Sequence, residues 1–297
     1  MCVAFYTLEH PEYALILCAN RDEYLSRPTE QAAFHSFGQT TEHSLQEGRV
    51  LSGIDVRAGG TWLGIDRSGK FALLTNITEP PTQQGSSRGQ LVSSFLTYDS
   101  LHPLEKNLHH LIPRDAKYAG FNLLLLAPSS THTVPGLSFD SAYVTNKGAG
   151  GDIAIRPLTD AQRRCGGMSN GVDGKGADEW PKVQHGLHSF KSIMDTLPPN
   201  ASEEQITERL FDLLTWTSSE LPRARSELRN TIQVQPLIVM DGQDLYGTRL
   251  STVVLVRRDG QVLFIERDKW KALEDGQPKL ADPSSQRIFR FELSATE

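Results

Sequence analysis

The sequence predicts an α+β protein in which antiparallel sheets carry helices on their outer sides. Three observations carry this reading. Apolar, β-rich runs of strand length flank a helical middle, tight turns join most neighbouring runs, and the strand–helix alternation of a doubly wound parallel sheet is missing. The chain has 297 residues, room for two domains at ~150 residues each or for one large one. No internal repeat, low-complexity tract or linker interrupts it, so a single domain over 1–297 is expected.

The elements follow in order. Residues 3–8 are β-rich, Glu9-His10-Pro11-Glu12 makes a turn, and residues 13–19 form a second apolar run. That run hardly alternates, so it reads as a strand buried on both faces. Asn20-Arg21-Asp22-Glu23 is expected to end it, and residues 24–50 read as a long loop. A hairpin follows, residues 59–65 and 70–76, turning at Asp66-Arg67-Ser68-Gly69. After a loop opened by Pro80-Pro81, a helix is predicted over 89–98, then strands over 121–127 and 142–145.

The helical middle has two further members. One spans about 179–194, with Pro181 tolerated in its first turn. The next opens with the capping box Ser202-Glu203-Glu204-Gln205 and places Ile206, Leu210, Leu213 and Leu214 on one face. The last third returns to strands over 232–240, 250–256, 261–266 and 287–293.

Composition narrows the function. Apolar residues make up 38%, and Gly 24 with Pro 16 is ordinary usage, which excludes collagen-like and wholly disordered chains. Lys+Arg 30 against Asp+Glu 36 leaves a net charge of −6, which argues against duplex nucleic acid or anionic lipid as the main partner. Cys2, Cys18 and Cys165 form no C-x-x-C pair, so neither a zinc knuckle nor a disulfide scaffold is indicated. No run of 18 apolar residues offers a transmembrane segment. The first residues lack both the basic region of a signal peptide and a transit pattern, so a soluble intracellular protein is expected. Neither a P-loop nor G-x-G-x-x-G occurs, and His185 with His188 reads as a surface pair in preference to a metal site.

Cys2 is the first candidate for chemistry. Removal of Met1 is expected before so small a residue, and it would leave a thiol and a free α-amine on one residue. Their ordinary pKa values, ~8.5 and ~7.7–8.0, let the amine act as base toward its own side chain. Asn20-Arg21-Asp22-Glu23 is either a solvated turn or a buried Arg21–Asp22 pair, with Asn20 bonded to backbone at a pocket edge. Asn76 and Asn170 are candidate oxyanion donors or ordinary turn residues. Arg249 enters an apolar strand, so it must meet a carboxylate inside or snorkel outward.

The ordered blocks resemble one family. They are Met1-Cys2, Ala19-Asn20-Arg21-Asp22-Glu23 with Arg27-Pro28, Gly59-Gly60-Thr61-Trp62-Leu63-Gly64, Leu74-Thr75-Asn76, Arg88-Gly89, Ser169-Asn170-Gly171, Trp180-Pro181-Lys182-Val183, and Tyr246-Gly247-Thr248-Arg249 with Ser251-Thr252. Together they resemble the Asn-Arg-Asp-Glu family, also called the transport and Golgi organization protein 2 family, and cover nearly the whole chain.

The resemblance implies the fold of amino-terminal-nucleophile hydrolases, a four-layer αββα sandwich of two stacked antiparallel sheets. It implies an intracellular protein, cytoplasmic with mitochondrial or Golgi associations, linked to Golgi organisation, secretion, and haem or acyl-CoA and lipid trafficking. A carrier for a small ligand, haem or acyl-CoA, is the first functional expectation. No cofactor is required, haem being a bound ligand. The second is an amino-terminal cysteine hydrolase or acyltransferase acting on an amide or thioester.

By the same resemblance Cys2, Asp22, Asn76 and Asn170 would be catalytic, while Asn20, Arg21 and Arg249 would bind substrate. Cysteine-type hydrolases of that superfamily place Arg-Asn-x-Asp at the end of the second strand. Here the Arg position holds Ala19, and Arg21 would share the face of Ala19 one step later.

Overall fold

The first two strands of the chain form a hairpin, β1 (Val3–Thr7) and β2 (Tyr13–Tyr24). It belongs to a computed structural model that describes all residues except 1, 39–47, 81–84, 99–103, 105–107, 109–115, 131–134, 240–243 and 295–297. The histidines at 109 and 110 therefore lie outside the described residues. The chain divides into two compact units: Met1–Arg27 with Thr159–Arg257 and Val262–Arg290, and Pro28–Leu158 with Arg258–Gln261 and Phe291–Glu297.

β2 does not stop at the charged tetrapeptide. It runs through Asn20, Arg21, Asp22 and Glu23, because a later strand pairs with these residues and supplies polar partners. The apolar stretch before them is buried on both faces, as its lack of alternation predicts.

The second unit is a meander. Its strands β3 (Thr29–His35), β4 (Val50–Asp55), β5 (Leu63–Asp66), β6 (Phe71–Asn76), β7 (Phe121–Pro128), β8 (Phe139–Thr145) and β9 (Ala154–Arg156) pair in sequence order, all antiparallel. β3 corrects the expected loop over 24–50. Only Ala32 in it is buried, so its sequence lacks the apolar alternation of a half-buried strand. Helix α1 (Arg88–Thr97) buries Leu91, Val92, Phe95 and Leu96 in one cluster with Ala72, Leu74, Leu123 and Leu125.

The chain then returns to the first unit. Helix α2 (Asp160–Arg164), which the sequence pattern did not reveal, starts with a capping box between Thr159 and Gln162. The remaining strands of this sheet are β10 (Gly166–Met168), β11 (Leu237–Ile238), β12 (Leu245–Arg257), β13 (Gln261–Asp268) and, after a separate hairpin of β14 (Trp270–Ala272) and β15 (Pro278–Leu280), β16 (Arg287–Glu292). Their order is β10-β1-β2-β12-β13-β16, with β11 on β12. The strand expected over 232–240 shrinks to β11, since Pro236 has no N–H to give a ladder.

Helices α3 (Pro181–Thr196) and α4 (Glu203–Leu213) cover one face of that sheet. α3 starts two residues later than expected, after a 3₁₀ turn at Ala177–Glu179. Phe190, Ile193, Ile206, Leu210 and Phe211 share a core with Val3, Phe5, Ile16, Cys18, Val253 and Leu255. The helix approaches so closely that a Cβ on Gly186 would stand 1.8 Å from the Phe5 ring. His185 stacks on Trp216 with centroids 3.9 Å apart, a packing contact. No helix among the described residues is long and apolar enough to cross a membrane.

Candidate active site at the start of the first strand

Two ladders fix the surroundings of Cys2. β1 pairs with β10 through Ala4↔Met168 and with β2 through Val3↔Asn20. Continued by one residue, the second register sets Arg21 beside Cys2, and on the other side the Ser169 hydroxyl ties the Cys2 carbonyl to the Ser169-Asn170 segment that follows β10. Directly opposed residues share a face of the sheet. The charge of Arg21 acts on the Cys2 thiol.

The neighbourhood is tightly held. The Ser169 hydroxyl donates to the Cys2 carbonyl at 2.9 Å and also reaches the Asn170 Oδ1 at 3.4 Å. The backbone N–H of Asp22 donates to the Cys2 sulfur. The Asp22 carboxylate accepts from the Thr248 hydroxyl at 2.6 Å, and its carbonyl accepts from the Tyr246 hydroxyl at 2.8 Å. Thr248 is fixed in turn, because its oxygen accepts the Val234 N–H at 2.8 Å. Asp22 and Asn170 are buried, whereas Cys2 keeps partial exposure.

Burial governs the protonation of this group. It pushes the Cys2 thiol up, the nearby Asp22 charge adds to that, and the Asp22 N–H and Arg21 act against it. It also pushes Asp22 up from the usual carboxylate range, against the opposing pull of Lys182 and the Thr248 bond. Lys182, on the first turn of α3, is pushed down by burial, while Asp22 and Cys2 favour its charged form. Cys18 is pushed up by burial, and it sits within the core with no part in the site.

Asn20 and Arg249 are engaged in other bonds. The Asn20 amide donates to the Leu214 carbonyl at 2.9 Å and the Ile232 carbonyl at 3.2 Å, while its oxygen accepts from Ser251 at 2.6 Å. It is a clamp that ties the end of α4 to the sheet. Arg249 occupies a bulge of β12 and donates to the Arg27 carbonyl at 2.5 Å, so it holds the chain where it leaves β2. Asn76 closes β6 in the second unit, opposite Phe121. Asn20, Arg21 and Asp22 are buried and Asn20 bonds to backbone, as the buried reading of Asn20-Arg21-Asp22-Glu23 expects of them. Arg21 forms an ion pair with Glu23 at 4.0 Å.

Lys182, whose charge interacts with Asp22 and Cys2, was not among the candidates, although its block was noted. The signal was present: Lys182, Gly186, Phe190 and Ile193 fall on one helical stripe, all of them buried. A lysine on the core side of an amphipathic helix breaks the pattern that composition leads one to expect.

The fold is that of the amino-terminal-nucleophile hydrolases. A mutant of conjugated bile acid hydrolase from Clostridium perfringens aligns over 100% of this chain and 98% of its own, with a TM-score of 0.50 at 9% identity. That likeness concerns the fold alone. Residues 1–271 match the family described as Transport and Golgi organisation 2. Transport and Golgi organization protein 2 homolog from Homo sapiens is 33% identical over 286 residues, 90% of this chain and 92% of that protein. The protein of that name from Drosophila melanogaster is 29% identical over 284 residues, 90% and 91% of the two chains. The chain belongs to the Transport and Golgi organisation 2 family.

Proposed function

We propose that Cys2 is the reactive centre of a site for acyl compounds, and that it attacks the carbonyl carbon of an amide or thioester. The observation that supports this reading is a cysteine at the start of a strand, beside Arg21 and tied through its carbonyl to Ser169 next to Asn170, with the Asp22 N–H acting on its sulfur. In the proposed sequence Met1 is removed and the Cys2 α-amine takes the thiol proton. The thiolate adds to the carbonyl, and the Asn170 amide donates to the oxyanion. The amine then passes its proton to the leaving nitrogen or sulfur, which departs with the bonding electron pair. Water cleaves the acyl-Cys2 thioester, releasing a carboxylic acid and restoring the thiol.

Cys2→Ser is the deciding variant. Wild-type protein incubated with a fatty acyl amide or acyl thioester is expected to release acid and to carry an acyl adduct on Cys2 by mass spectrometry. The serine variant is expected to lose at least about 100-fold in turnover, the low end of the effect of a key catalytic group. Equal turnover by the two proteins would remove Cys2 from the chemistry. An intact mass that retained Met1 would remove the α-amine as its base.

A second reading follows from burial, which pushes the Cys2 thiol up and so disfavours its thiolate. The same site then carries an acyl-CoA or haem without turning it over, in keeping with relatives named for transport. Saturable binding of either ligand with no acid released would decide for this reading.

A further inference from the structure

Lys182 is fully buried, and its ammonium finds no hydrogen-bond partner among the described residues. Such a group has three donors to satisfy, and leaving them unsatisfied is costly unless something completes them. The packing of α3 shows where this ammonium lies. Leu187 stands 3.1 Å from a Cβ built on Gly167, and Trp180 stands 3.2 Å from one built on Gly171, so α3 runs antiparallel to β10 and parallel to β1. Gly186 is at Phe5. One turn toward the start of the helix, ~6 Å of rise, matches about two strand residues and brings Lys182 to the level of Val3. Its side chain leans further toward the helix start, to Cys2. The Trp180 ring lies 5.9 Å from the ammonium.

The charges around Cys2 favour one class of ligand. Arg21 and Lys182 are both buried cations. Glu23 pairs with Arg21, and no carboxylate among the described residues hydrogen-bonds the Lys182 ammonium. We propose that Lys182 is the anion-recognition residue of the Cys2 site, its ammonium receiving a carboxylate or phosphate oxygen of the ligand presented to the thiol. This rests on the reading of Cys2 as the reactive centre and adds the charge of its substrate.

Two alkylating reagents that differ in charge test it. Iodoacetate and iodoacetamide transfer the same carbon to sulfur with loss of iodide, and peptide mass spectrometry reads each rate at Cys2. The iodoacetate-to-iodoacetamide ratio at Cys2 is expected to exceed that of free cysteine by about tenfold, the low end for a hydrogen bond to a charged group. Lys182→Met is expected to abolish that preference and Lys182→Arg to keep part of it. Inorganic phosphate is expected to protect wild-type Cys2 from iodoacetamide, a result that does not depend on any variant folding. An unchanged ratio in Lys182→Met, or no protection by phosphate, overturns the assignment and leaves Cys2 standing as nucleophile. A Cys2 that neither reagent modifies overturns both.

Discussion

At the scale of single residues, Asn20 and Asp22 show how one short motif divides its work. Asn20 spends both amide hydrogens on the Leu214 and Ile232 carbonyls and its oxygen on Ser251. Asn20→Ala leaves all three without that partner inside the protein. At ~1 kcal/mol net for each bond, a loss of about 3 kcal/mol is expected, read as a shift of the urea midpoint. A change under about 0.5 kcal/mol would refute the clamp. Asp22, two residues on, keeps its carboxylate beside Lys182 and Thr248. The sequence made Cys2 and the tetrapeptide legible because a small residue after Met1 and a charge run after an apolar strand are both unusual. It hid the split between clamp and site, since four adjacent polar residues look alike until β12 supplies their partners.

At the scale of elements, the contact of α3 with β1 turns on Gly186. Replacing a mid-helix glycine by alanine adds ~1 kcal/mol of helix propensity when nothing intervenes. Here the new methyl would stand 1.8 Å from a ring with no exposure, and overpacking of a filled core costs ~1–3 kcal/mol or more. Gly186→Ala is therefore expected to lower stability by about 2 kcal/mol in denaturant unfolding, and Phe5→Leu in the same chain to restore part of the loss. A more stable single variant would show that the helix can slide off the sheet. Elements with a strong local signal were legible: the capping box before α4, and the hairpin of β5 and β6 with its Asp66-to-Gly69 turn. Of those that escaped, β3, β9, β10 and the hairpin of β14 and β15 are short or exposed strands defined by their partners more than by their own pattern. β4 is buried over Val50, Leu51, Ser52 and Gly53 but lies at the end of a polar stretch.

At the scale of the whole molecule, stability against pH sums every such group, and two aspartates pull it in opposite directions. Burial alone would raise Asp268, but hydrogen bonds from Arg287 and Lys271 outweigh it and hold the carboxyl below its usual value of 3.8. A lowered folded pKa gives stability that is present above about 3.8 and is lost as pH falls through the folded value. Asp22 is the reverse, raised from 3.8 by burial. Its folded form holds the proton more tightly than the unfolded chain does, so stability declines as pH climbs from about 3.8 to the folded value. Asp268→Asn is accordingly expected to cost stability at pH ~7 and progressively less as pH falls below about 3.8. Asp22→Asn is expected to behave oppositely, gaining on the wild type as pH rises above ~4. Urea unfolding of the three proteins at intervals across that range reads both slopes. If Asp22→Asn instead fell further behind with rising pH, the carboxylate would be stabilised where it lies, and a site that holds Asp22 at the expense of folding would be the wrong description.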